Sequence, residues 1–150
     1  RTPNTRDAGF QNPAAQKVEV FKKAFSQFFM KILNLVLAAL FVLFAALQYN
    51  DPDPLRWAAM YVFVAGVCGF AAFGKYNKYV LWAGIAVCLV WLAVWLPEFL
   101  NWLDMGAPNI ATSMKAETPY IEYTREFFGL LICLGVFGWQ LLRAKKNSTH

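Results

Sequence analysis

The residues best equipped for chemistry stand in two short stretches, YNDPDPLRW at 49–57 and PYIEYTREFF at 119–128. The first carries Asn50, Asp51 and Asp53, the second Glu122, Arg125 and Glu126. Clustered oxygen ligands suit a hard cation. A carboxylate can also serve as a general base, with an arginine beside it to hold a phosphate or carboxylate. Glu122, Arg125 and Glu126 are spaced i, i+3, i+4 and so share one face of a helix. However, no nucleophile stands next to them and the spacing of a calcium-binding EF-hand loop is absent. A plainer reading remains open, in which these residues form caps, ion pairs and a solvated face. In that reading Asp53 caps a helix whose first residue is Pro54. Arg125, costly at a membrane boundary unless paired, takes Asp51 as its partner, with Glu122 and Glu126 competing on its own helix.

Two further polar residues interrupt otherwise apolar segments. Asn34 and Gln140 are each the same number of residues from an outer polar residue on their own segment, Gln48 and Glu126 respectively. In antiparallel helices those pairs come level, about 21 Å apart along the helix axis. The spacing predicts a hydrogen bond between Asn34 and Gln140, of the order of 0.6 kcal/mol in a membrane interior.

Other chemistries lack their residues. The single histidine is His150, so a bis-histidine haem site or a histidine-rich metal site within the helices is excluded. Cys68, Cys88 and Cys133 lie singly in apolar runs without a CxxC pair, as small side chains used in helix packing do. No nucleotide-binding loop and no chain of ionisable groups at mid-depth is present, and no cofactor, catalytic residue or metal ligand is assigned.

The elements that must position these residues follow from composition. Hydrophobic residues make up 59% of the 150 and charged residues only 15%, too little polar surface to cover a water-soluble core. The aromatic share of 17% fits residues that settle where hydrocarbon meets headgroups. Residues 1–15 have no apolar period and read as a flexible tail. Over 16–29, Val18, Phe21, Phe25, Phe28 and Phe29 fall on one helical face with Lys17, Lys22 and Lys23 opposite. This is the pattern of an amphipathic helix lying in the membrane interface, or alternatively of a prolongation of the first span. Spans are expected at about 30–48, 57–73, 79–96 and 119–142, each near the length that crosses a hydrocarbon core of about 30 Å. In the second, Ala65 and Gly69 have small-xxx-small spacing. Pro97 is expected to disturb the third helix, with a short interfacial helix beyond it, and Thr118 to cap the fourth. Residues 144–150 form a basic tail. The fold class is therefore all-α, an integral membrane four-helix bundle with an N-terminal amphipathic interfacial helix.

Charge sets the orientation. Arg1, Arg6, Lys17, Lys22, Lys23, Lys31, Lys75, Lys78, Arg143, Lys145 and Lys146 are eleven of the fourteen basic residues, and all fall at one end of the expected bundle. Seven of the nine acidic residues fall at the other. The positive-inside rule then puts both termini in the cytoplasm, most simply in a bacterial inner membrane.

The stretch LQYNDPDPLRWAAMY, with YTREFFGLLI in the last span, resembles the transmembrane protein 220 family of small four-helix membrane proteins. The NDPD turn followed by Trp57 and Tyr61, with Arg125 and Glu126 entering the last span, carries the resemblance over roughly 30–143. What the resemblance implies is a fold and a topology, with no biochemical function attached. It also implies a natural start close to Met30. The expected role is that of a non-enzymatic accessory or assembly subunit of a larger membrane complex. Its expected partners are membrane lipids and other integral membrane proteins, not nucleic acid. Two alternatives are binding or transport of a cation or small anionic ligand at the outer acidic face, and an enzyme of lipid or cell-envelope chemistry.

Overall fold

The computed structural model describes residues 13–50, 53–110 and 119–147. Four helices account for most of them: α1 Pro13–Leu47, α2 Pro54–Ala72, α3 Lys78–Asp104 and α4 Pro119–Asn147, with a single 3-10 turn at Gln48–Asn50. All four are long and apolar enough to cross a membrane. The protein is a four-helix integral membrane bundle.

All four helices are longer than their expected spans, α1 and α3 by the most. No proline or glycine interrupts the sequence from Ala14 to Leu47, and the amphipathic segment and the first span are one continuous helix of 35 residues. At about 1.5 Å per residue it is about 52 Å long, well beyond a hydrocarbon core of about 30 Å. Likewise α3 runs through Pro97 to Asp104 with no separate helix beyond the proline. Proline removes one N–H, and its ring crowds the preceding turn. Packing beyond it holds the helix together: Phe99 stacks on Phe127 of α4 at 4.2 Å between ring centroids, and Trp102 meets Phe128 edge-on at 6.0 Å.

Each helix gives the core one stripe. On α2 it is Trp57, Met60, Val64, Cys68 and Ala71; on α3 Leu81, Gly84, Cys88 and Leu92; on α4 Phe127, Leu130, Cys133, Phe137, Leu141 and Ala144. Steps of three and four keep such a stripe facing a neighbour. α1 buries only Asn34 and Phe41, seven residues apart. It packs against α2, α3 packs against α4, and the two hairpins meet through α2 and α4, the most buried of the four. All three cysteines are fully buried and free.

Close approach depends on particular glycines. A Cβ at Gly84 would stand 2.7 Å from the Phe137 ring, and one at Gly129 would stand 2.6 Å from the Tyr61 hydroxyl. The expected small-residue face behaves differently: Ala65 is buried, but a Cβ at Gly69 would meet nothing within 4 Å. The tight approaches are made at glycines of α3 and α4, and Gly69 is left beside open space.

The α2–α3 turn is closed at both ends. Gly74, at φ +72°, donates to the Ala71 carbonyl, and Lys75 N–H donates to the Phe70 carbonyl at 3.0 Å, the paired bonds of a Schellman cap. Asn77 Oδ1 then accepts from the N–H groups of Tyr79 and Val80, capping α3.

Candidate functional site

At the end of the bundle that holds the acidic connections, α2 begins next to the first turns of α4. Pro54 occupies the first turn of α2 as its fixed φ favours, but Asp53 makes no side-chain cap. Its carboxylate instead accepts from Arg56 Nη1 at 2.9 Å, an exposed i, i+3 ion pair. With its own arginine one turn away, Asp53 gains a charged partner in place of a cap bond. The next inward residue, Trp57, is 3% exposed, and its indole Nε1 donates to Glu126 Oε1 at 2.7 Å. This bond fastens α2 to α4 at the membrane boundary.

Arg125 serves the other connection. Its Nε donates to the carbonyl of Ile110 at 2.6 Å, drawing the α3–α4 connection onto α4, while Trp102 Nε1 donates to the Pro108 carbonyl at 2.9 Å. The expected Arg125–Asp51 pair falls on Asp51, outside the described residues, as does the Thr118 cap and the side chain of Asn50. Of the three acid-arginine-acid positions, Glu126 is turned into the core, while Glu122 and Arg125 are half-buried. Among the described residues no group of three or more His, Cys, Asp or Glu side chains is arranged to hold a metal ion.

Beneath this boundary lies an aromatic layer that the sequence reading missed. Trp57 packs against Trp91 at 5.5 Å and Tyr61 at 6.0 Å; Tyr61 meets Phe41 and Phe44 of α1; Trp95 stacks on Tyr123 at 4.6 Å. All four helices contribute. The i, i+4 spacing of Trp57 with Tyr61 and of Trp91 with Trp95 was the available signal, but tryptophans near span ends equally fit an interfacial belt.

A second polar site lies towards the opposite end. Gln140 Nε2 donates to Asn34 Oδ1 at 2.5 Å, so the hydrogen bond expected between the first and last spans is present. Asn34 Nδ2 donates to the Met30 carbonyl one turn back at 2.9 Å, which fixes the amide's orientation. Gln140 Nε2 also lies 3.7 Å from Cys68 Sγ, bringing α2 into the same contact. Both amides are essentially fully buried, and Gln140 Oε1 has no hydrogen-bond partner. Just outside this layer, burial pushes the Tyr76 phenol above its ordinary pKa, and the nearby Arg143 draws it part of the way back.

Trp57 and Tyr61 of α2 thus lie against α4 beside Glu126 and Gly129, and comparison with known proteins covers this part of the chain. The model of the family described as transmembrane family 220, helix, matches residues 40–142. The chain belongs to that family. The residues matched include all of α2 and α3, so the transmembrane family 220 pattern encloses the boundary site and the aromatic layer, together with Gln140. It leaves out Asn34 and most of α1. Neither the curated proteins nor the solved structures contain a match to the chain.

Proposed function

We propose that this member of transmembrane family 220 is a non-enzymatic accessory or assembly subunit of a larger membrane complex, held in a bacterial inner membrane with both termini cytoplasmic. The observation that carries the reading is α1. A helix of 35 residues buries two of them, Asn34 and Phe41, and exposes Leu35, Val36, Leu40, Val42, Leu43 and Leu47 along its span. Its N-terminal part continues with Phe21, Phe25, Phe28 and Phe29, all more than half exposed. A membrane helix used so little by its own bundle is free to pack against another protein, where close van der Waals fit drives association. The interior polar groups support the same reading. Trp57 with Glu126, and Asn34 with Gln140, hold one helix to another.

The test is extraction of the full chain in mild detergent, followed by identification and stoichiometry of the chains that remain bound. A partner held at fixed stoichiometry, and lost on Val36→Trp or Leu43→Trp, agrees with the proposal. A chain that stays alone under every mild condition contradicts it.

A further inference from the structure

Next to the α2–α3 turn, at the basic end of the bundle, the surface is hollow. Between α2 and α3 an apolar groove of about 810 Å³ is walled by Phe63, Val67, Phe70, Val80 and Leu81 and ends at Lys75, Tyr76 and Asn77. A second depression of about 270 Å³ lies beside it, lined by Gly66, Gly69, Phe70, Phe73 and Lys75. The two share Gly66, Phe70 and Lys75, so they leave Phe70 in two directions and converge on one lysine. A Cβ at Gly66 or Gly69 would meet nothing within 4 Å, so glycine keeps both floors open.

The charge at this rim has one sign. Lys31 Nζ stands 5.1 Å from the centre of the ring of Phe73, one of the residues that line the second depression. Lys75 and Lys78 flank the turn, and Arg143 lies close enough to Tyr76 to act on its phenol electrostatically. The nearest acidic residue in sequence among those described, Glu19, is twelve positions before Lys31 and pairs with Lys22 at 3.5 Å.

We propose that this surface binds an anionic two-chain phospholipid, one acyl chain in each depression astride Phe70 and the phosphate on Lys75, with Lys31 and Lys78 beside it. Two adjoining apolar channels that share a cation match the shape of such a lipid: two hydrocarbon tails and one negative head. A single partner helix has one ridge and no charge requirement. Polar ends with apolar walls are the general form of a small-molecule site, and basic pockets between membrane helices take anionic headgroups. The proposal is independent of the accessory role, since both depressions lie on α2, α3 and their turn, and α1 contributes only Lys31.

The experiment is native mass spectrometry of the full chain in detergent with dioleoyl phosphatidylglycerol or dioleoyl phosphatidylcholine added. The expected result is retention of one phosphatidylglycerol in preference to phosphatidylcholine. Lys75→Ala lowers that retention about fivefold, the effect of one lysine near an anionic headgroup. Gly66→Leu fills the shared floor and abolishes it, while Gly135→Leu, at another open glycine, leaves it intact. Thermal unfolding of Gly66→Leu close to wild type shows that the loss is not misfolding. Equal retention of both lipids overturns the proposal, and so does unchanged retention in a folded Gly66→Leu. A dimer that Gly66→Leu dissociates also overturns it, because the groove then receives a second copy of the chain.

Discussion

Glu126, an acceptor, and Gln140, a donor, are both buried polar residues on α4, and they differ in what their loss leaves behind. Removing Glu126 strands the indole N–H of Trp57, which is 3% exposed, and a buried donor left without its acceptor costs about 1–3 kcal/mol. Glu126→Ala and Trp57→Phe should therefore each destabilise the bundle by about that much. A double-mutant cycle on thermal or denaturant unfolding should return a coupling of about 0.5–3 kcal/mol, and additive losses would mean that the bond is not formed. At the inner amide pair the losses are unequal. Asn34→Leu removes the acceptor of Gln140 Nε2, and since Gln140 Oε1 has no partner, a whole buried amide is left without an oxygen or nitrogen partner. Gln140→Leu leaves Asn34 still bonded to the Met30 carbonyl. Asn34→Leu should be the more damaging change, by about 1 kcal/mol, and adding Gln140→Leu to it should recover stability. Equal losses would contradict the hydrogen-bond assignment. Asn34 and Gln140 were legible from the sequence because depth along a helix is simple arithmetic. The Trp57–Glu126 bond was not, since indole nitrogens in membrane proteins serve interfaces as often as partners.

Helix existence followed from hydropathy, whereas helix length depended on what lay beyond each span. Proline at 97 reads locally as an end, yet the stack of Phe99 on Phe127 continues α3 to Asp104, because tertiary packing outweighs one missing N–H. Nothing local marks an end between the amphipathic segment and the first span, so α1 is continuous. The Asp53 cap illustrates the opposite error: its residue type and position were right, but Arg56 competes for the same carboxylate. At this scale the sharpest prediction concerns helix separation. Gly84 admits Phe137, and a methyl group there would stand 2.7 Å from a fully buried ring. Gly84→Ala should destabilise by about 1–3 kcal/mol as α3 and α4 shift apart. Gly138→Ala, facing open space on α4, should cost under about 0.5 kcal/mol in the same unfolding assay. Similar effects at the two sites would place the α3–α4 contact elsewhere.

The whole molecule divides into a bundle and a projecting stretch of α1 that the bundle does not use. No residue from Pro13 to Phe29 is buried, so deletion of 1–29 should leave a monodisperse four-span protein with an unchanged unfolding midpoint. Failure of the shortened chain to insert or unfold cooperatively would show that the fold needs that stretch. Orientation is tested with a membrane-impermeant thiol reagent on intact cells. Cysteine probes at Asp53 and Asn109 should label, and probes at Asn77 and Asn147 should not. The central claim is that α1 presents a face to another protein, and photo-crosslinking from the outward side of that helix tests it most directly. A photoreactive residue at Val36 or Leu43 in the native membrane should give a discrete protein adduct of constant mass. The same residue at Val90 on α3, equally exposed to the surroundings, should give lipid adducts. Lipid adducts alone from Val36 and Leu43 would contradict the accessory-subunit account.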